Sequence, residues 1–293
     1  MSKETVAIVG GGFMGSGIAQ VCAQAGHTVR LIDSDAGQLE KGRKNIEWSA
    51  GKFVAKKLVE GPIGAIMARI SVGTSLDLAA TADIVIEAVY EDVKVKKEVW
   101  AKLDGVCAPQ AILGSNTSTI PITLLAGATK RPSRFVGIHF FGPVPMMRLV
   151  EVIRGQETSD QTLNTTVDFA RGLGKNPIVV NKDVPGFLMN RIFGMMGCEA
   201  IRLVEEGIGR IEDIDQGMVD GFSLRMGPLS IADLSGLDIA YNAFRVMHEL
   251  DPGKMPAPPK LLERLVREGK LGVKTGEGFY KYDATGKKTG PAF

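Results

Sequence analysis

The sequence predicts an α/β fold, a doubly wound, mostly parallel sheet over residues 1–183, followed by an all-α domain over residues 184–293. Three observations carry this prediction. Short apolar runs alternate with helical stretches as far as about residue 181, the pattern of successive βαβ units. A strand, a glycine-rich turn, a helix, a second strand and an acid follow one another from Thr5 to Asp33. Beyond the breaker cluster Lys182-Asp183-Val184-Pro185-Gly186, only helical periodicity is evident.

The first strand, Val6 to Val9, is short, apolar and β-branched, as suits a strand buried on both faces. Gly10, Gly12 and Gly15 follow in the spacing G-x-G-x-x-G, with Phe13 and Met14 between them. Gly10 permits a tight turn, Gly12 lets a diphosphate approach the backbone, and Gly15 allows the following helix to pack on the strand. That helix, residues 13–25, would point free N–H groups and the positive end of its dipole at the diphosphate. The second strand, 28–32, ends in Asp33, placed to accept hydrogen bonds from ribose hydroxyls. A carboxylate there repels a 2′-phosphate, and Ser34-Asp35-Ala36 supplies no arginine. The glycine turn is therefore expected to bind NAD rather than NADP.

A basic helical stretch over residues 36–60 comes next, with Ser49, Lys52 and Lys56 spaced to share one face. A solvated surface and a phosphate clamp for a second ligand are both open readings of it. Strands are predicted at 69–72, 84–88, 111–114 and 134–138, with helices at 76–82, 93–107 and 121–126 between them. Glu87 and Glu91 follow one strand, and Ser115-Asn116-Thr117-Ser118 follows another. Ligands of such sheets bind outside the carboxyl ends of the strands, so both clusters should face the cofactor crevice. The polar run can also cap the helix that starts at Pro121. Strands at 148–153 and 177–181 complete the first domain. Helices are predicted at 187–206, 212–221, 228–249 and 258–269, whose Met-rich stripes suit a core or a subunit contact.

Composition excludes several classes. A chain of 293 residues is comfortable for two domains, and a formal charge of +2 without a long basic block gives no sign of a nucleic-acid partner. Cys22, Cys107 and Cys198 are far apart and lack a C-x-x-C pair, which argues against disulfides and zinc; no metal is expected. A strand starting almost at the N-terminus leaves no room for a signal peptide, and no apolar run reaches 18 residues. The expectation is a cytoplasmic protein without a membrane partner.

His27 and His248 read as structural. His139 follows the strand 134–138, and a Pro-rich reversal leads to a returning strand that carries Glu151. Such a pair allows the carboxylate to fix the imidazole tautomer and stabilise the imidazolium, which suits proton abstraction from an alcohol beside a nicotinamide. A buried structural His–Glu pair is the alternative.

Several ordered motifs span the chain: the glycine turn, Ser115-Asn116-Thr117-Ser118, His139-Phe140-Phe141, Leu149-Val150-Glu151-Val152-Ile153, Val184-Pro185-Gly186-Phe187 with Asn190-Arg191, Met226-Gly227-Pro228, and Lys274 to Tyr280. Together they resemble the short-chain L-3-hydroxyacyl-CoA dehydrogenases, including 3-hydroxybutyryl-CoA dehydrogenases. The resemblance implies a Rossmann-type NAD domain, a helical substrate and homodimerisation domain, and NAD-dependent interconversion of (S)-3-hydroxyacyl-CoA and 3-oxoacyl-CoA in fatty-acid β-oxidation. It implies His139 as base, Glu151 as its partner, and Ser118 and Asn190 as hydrogen-bonding groups around the reacting oxygen. Gly10, Gly12, Phe13, Met14, Gly15, Asp33, Glu91, Lys96 and Ser118 fall at cofactor positions, and Ser49, Lys56 and Ser118 at coenzyme A positions. One residue departs from the pattern: Gly142 stands where the family usually has Asn, leaving that volume to water, to a substrate group or to nothing. Two other functions remain open: a β-hydroxyacid dehydrogenase acting on a CoA-free acid through a lysine, and a non-catalytic NAD-binding structural or regulatory protein.

Overall fold

The computed structural model describes residues 3–293, which form two compact units divided between Val184 and Pro185. In the first, β1 (Thr5–Val9) leads to α1 (Phe13–Gln24), β2 (Thr28–Ile32), the long α2 (Ala36–Ala55), the short α3 (Ile63–Met67) and β3 (Ile70–Gly73). β4 (Ile84–Glu87), α4 (Val93–Val106), β5 (Ile112–Ser115), α5 (Ile122–Ala126) and β6 (Phe135–Phe140) follow. β7 (Leu149–Ile153), α6 (Asp160–Gly172) and β8 (Asn176–Val180) close the unit.

The eight strands form one sheet in the order β3-β2-β1-β4-β5-β6-β7-β8. β1 to β6 run parallel, β7 is antiparallel to β6, and β8 is parallel to β7. The central strands β1, β4, β5 and β6 are buried almost throughout, which is why their sequences are continuous apolar runs rather than alternating ones. Trp100 of α4 packs edge-on against Phe135 of β6, both fully buried.

The second unit holds α7 (Met189–Glu205), α8 (Ile211–Phe222), α9 (Pro228–Ser235), α10 (Leu237–Leu250) and α11 (Lys260–Arg267). The unit is helical as expected and adds one short antiparallel hairpin of β9 (Tyr280–Tyr282) and β10 (Lys288–Pro291). The helix expected over 228–249 is broken at Gly236, which has φ +99° and separates α9 from α10. In the first unit α2 stops at Ala55, where Lys57 turns left-handed at φ 55°, rather than continuing to residue 60. Residues 76–79 form a single 3₁₀ turn. The sequence reading also places no element between 153 and 177, where α6 lies. Its first turns are rich in Asp, Asn and Thr, which are weak helix formers, but Ser159 caps Thr162 N–H, and Leu163, Val167 and Ala170 are buried.

Two buried carboxylates organise the second unit. Asp233 accepts hydrogen bonds from Phe279 N–H, Tyr280 N–H and the Tyr282 hydroxyl, each at 2.9 Å. Asp215 accepts from Leu229 N–H at 2.8 Å, Ser230 N–H at 2.9 Å and the Tyr280 hydroxyl at 3.0 Å. A Cβ on Gly278 would collide with the Asp233 carboxylate, so that glycine is required by close approach. Burial pushes the Asp233 carboxyl above the usual range, against the pull of its three donors. Asp233→Ala strands two peptide N–H groups and a hydroxyl and is expected to cost at least about 3 kcal/mol. Urea unfolding measures this; a loss below about 1 kcal/mol would mean that other contacts hold the hairpin.

Candidate active site

The glycine turn joins β1 to α1. Gly10 has φ +110°, donates its N–H to Ile32 O at 2.7 Å, and lies so close to Ala88 that a Cβ would strike the Ala88 carbonyl. A Cβ on Gly15 would collide with the carbonyl of Gly10, so α1 seats directly on the turn. At Gly12 the Cβ position has no atom within 4 Å, and no side chain caps the helix start. The turn therefore leaves open space in front of free N–H groups, which fits the diphosphate of a dinucleotide. Asp33, just past β2, is fixed over this turn: one carboxylate oxygen accepts from Gly11 N–H at 2.7 Å and the other from Asp35 N–H at 3.0 Å. A cavity of about 730 Å³ lies beside it, lined by Gly10, Gly12, Asp33, Leu76 and Tyr90 among others, and that volume suits a nucleotide.

At the carboxyl ends of β4 and β5 stands a charged network. Glu87, fully buried, accepts from Lys96 Nζ at 2.5 Å, from the Ser115 hydroxyl at 2.7 Å and from Val89 N–H at 2.8 Å. Lys96 also reaches Glu91 at 3.1 Å. Burial works against the Lys96 ammonium, but Glu87 and Glu91 outweigh it and hold its pKa above the ordinary lysine value. Burial likewise works against the Glu91 carboxylate, yet Lys96, Thr117 and Ser118 hold its pKa below the usual range. Glu91 accepts from the Thr117 hydroxyl and from Ser118 N–H at 2.9 Å, which fixes the loop carrying Ser118. Lys96 is 1% exposed, so its ammonium supports Glu91 from within the protein.

His139 lies inside β6 rather than beyond it, directly opposite Glu151 in the antiparallel register with β7. Its Nδ1 is 2.7 Å from Glu151 Oε2, and both side chains are buried. The carboxylate only accepts, so Nδ1–H donates and, in the neutral ring, the lone pair resides on Nε2. The Phe141 ring packs against the imidazole, with centroids 4.5 Å apart. Two residues that the sequence reading missed hold this region. Asn116 Oδ1 accepts from Phe140 N–H at 2.9 Å and ties the β5 loop to the histidine strand. Buried Lys175 donates to Val144 O at 2.5 Å and Met147 O at 2.8 Å, stapling the turn between β6 and β7. Asn116 stood within the conspicuous polar run; nothing in the sequence around Lys175 signals its role.

Ser49 is half-buried on α2, and exposed Lys56 is the residue that ends it. Lys52 places its ammonium 3.5 Å from the centre of the exposed Trp48 ring. Asn190 lies in the first turn of α7, in the second unit. Among the described residues, no three His, Cys, Asp or Glu side chains are grouped to hold a metal ion, and no helix is long and apolar enough to cross a membrane.

A glycine turn shaped for a diphosphate with an acid at the end of the next strand, together with a buried His–carboxylate pair across β6 and β7 of the same sheet, fits an NAD-dependent oxidoreductase. The chain belongs to the 3-hydroxyacyl-CoA dehydrogenase family: residues 5–184 match its NAD binding domain and residues 186–282 its C-terminal domain. It is 45% identical to the mitochondrial hydroxyacyl-coenzyme A dehydrogenase of Sus scrofa over 287 residues, covering 94% of this chain and 90% of that one. Identity is also 45% to a probable 3-hydroxybutyryl-CoA dehydrogenase of Deinococcus radiodurans over 276 residues, covering 94% and 99% of the two chains. The crystal structure of (S)-3-hydroxybutyryl-CoA dehydrogenase from Ralstonia eutropha superposes with a TM-score of 0.91 at 41% identity, covering 96% of this chain and all of that one.

Asp33 is expected to accept from the ribose hydroxyls and to repel a 2′-phosphate, and Asp33→Ala removes both effects. The substitution is expected to weaken NAD binding and narrow the preference over NADP, read by titrating both cofactors. A wild-type protein that bound NAD and NADP equally would refute this account of Asp33.

Proposed function

We propose that the protein interconverts (S)-3-hydroxyacyl-CoA and 3-oxoacyl-CoA with NAD, that 3-hydroxybutyryl-CoA or another short chain is its substrate, and that His139 is the base. The observation that carries this reading is the buried His139–Glu151 pair held across the β6–β7 register. NAD, when bound, accepts the hydride from the substrate's carbinol carbon. His139 removes the hydroxyl proton through Nε2, and Glu151 holds the ring orientation and supplies the counter-charge for the imidazolium. Ser118, on the loop fixed by Glu91, donates a hydrogen bond to the reacting oxygen. Glu91 is proposed to serve the cofactor site, and Lys96 to do so by holding Glu91 in place.

Ser49 and Lys56 are proposed to hold coenzyme A. Trp48, Lys52 and Lys56 are spaced four residues apart at the end of α2, and Trp48 and Lys52 already stack. An aromatic face with two cations matches the chemistry of a phosphorylated adenosine. The helical unit exposes Ile192 on α7 and Phe222 on α8, 65% and 73% accessible, which favours a homodimer through this unit. A cytoplasmic setting and a role in fatty-acid β-oxidation complete the proposal.

An assay of NADH formation across acyl-CoA lengths, with free 3-hydroxybutyrate as control, tests the reading. Oxidation of the free acid in preference to the thioester would overturn it. In the same assay, His139→Gln is expected to lower kcat by about 10²–10⁴ with NAD affinity near normal. Glu151→Gln should also lower kcat, and a wild-type kcat would reduce Glu151 to a structural residue. For Lys56→Ala, KM for the CoA substrate should rise by about fivefold, the effect of roughly 1 kcal/mol from one exposed contact, and the effect should fade with salt. A substrate analogue lacking the nucleotide should be unaffected; equal losses on both would refute the clamp.

A further inference from the structure

Gly142 directly follows Phe141, whose ring packs on His139. Its backbone is not among the positive-φ glycines, so conformation does not demand glycine there. Space does. A Cβ at residue 142 would lie 2.8 Å from Phe13 Cε1, with Met14 Sδ at 3.3 Å, whereas carbon atoms in contact sit at about 3.5–4.0 Å. Phe13 thus crowds the start of the volume that a side chain at 142 would need.

Phe13 is unusual in its own element. It opens α1 immediately after Gly12 and is 67% exposed, while Gly15 to Ala23 are all buried. Its ring therefore stands at the mouth of the diphosphate cradle, with its edge toward the residue that follows the Phe141–His139 stack. A large apolar ring in that place loses contact with water when a dinucleotide binds, and it restricts how the cofactor and the acyl group approach the imidazole.

We propose that Phe13 and Gly142 form one interlocking specificity-determining pair: the Phe13 ring supplies the crevice wall between the dinucleotide cradle and His139, and Gly142 is small so that the ring can sit there. The inference rests on the dehydrogenase reading and adds to it the residues that shape the crevice beside the base. An exposed ring swings aside when crowded, so a side chain at 142 perturbs ligand binding more than folding. The result is a coupling between two residues 129 positions apart in the chain.

A double-mutant cycle of Gly142→Ala and Phe13→Ala tests it, read by fluorescence titration of NADH and by kcat/KM for 3-hydroxybutyryl-CoA. Gly142→Ala should weaken both by about three- to tenfold in the wild-type background and be nearly neutral in the Phe13→Ala background, within the range of about two- to a hundredfold found for contacting residues. The melting temperature should stay unchanged, which separates a crevice wall from a structural contact. Gly142→Asn should likewise lose activity unless Phe13 is shortened. Equal losses from Gly142→Ala in both backgrounds, or a gain from Gly142→Asn alone, would overturn the pair. If the wild-type protein made no NADH from any 3-hydroxyacyl-CoA while the NADH titration still showed the coupling, the substrate reading would fail and the pair would stand.

Discussion

Glu151 is fully buried, and a carboxylate taken out of water must be met by donors or be expelled. Its location depends on the reversal of direction at β7. Strands parallel to β6 would need a long crossover, but an antiparallel neighbour is reached through a short turn, and the register then sets Glu151 against His139. The imidazole supplies the donor that the carboxylate requires, and the carboxylate in turn sets the ring's tautomer. Lys175, fastened to the carbonyls of Val144 and Met147, holds the connecting turn closed.

The same requirement recurs at other buried and half-buried acids. Asp33 closes on Gly11 N–H, Asp183 caps the start of α5 through Ile122 and Thr123 N–H, and Asp215 and Asp233 bind the peptide groups of the second unit. Each carboxylate satisfies peptide donors that would otherwise be orphaned at a helix start or a turn. Several glycines in the conspicuous motifs owe their identity to these contacts. Gly278 and Gly227 are small because Asp233 and Asp215 occupy the adjacent space. A glycine-rich motif can thus record the position of a carboxylate far away in sequence, which local turn chemistry does not reveal.

The alternation of strands and helices was legible because buried parallel strands are apolar on both faces, and β1 and β2 fell where the residues placed them. The family, the NAD cofactor and the helical character of the second unit were also legible, from ordered motifs. Features that depend on tertiary contact were not. α6 has a Thr-rich start that the Ser159 cap and packing on β6, β7 and β8 together rescue, and the hairpin over residues 280–291 depends on Asp233. Gly236 could have flagged the break in the long helix, but an isolated glycine within a periodic run does not state its φ. The space at Gly142 was visible as a departure from pattern, whereas the residue that crowds it, Phe13, lies far away in the chain.

Lys96 shows the limit of assigning roles by position. It falls where a cofactor residue is expected, yet it is sealed within the protein between two carboxylates. With Glu87 and Glu91 both bound to its ammonium, a neutral residue in its place would leave the buried Glu87 carboxylate near a second negative charge with no counter-ion between them. The pair would then be driven apart. Glu91 is the freer of the two, because Glu87 is fixed within the sheet by Ser115 and Val89. Its displacement would release Ser118 N–H and the Thr117 hydroxyl together. The charge of Lys96 therefore helps to set the position of a loop it reaches through Glu91 and, by way of Glu87, through Ser115.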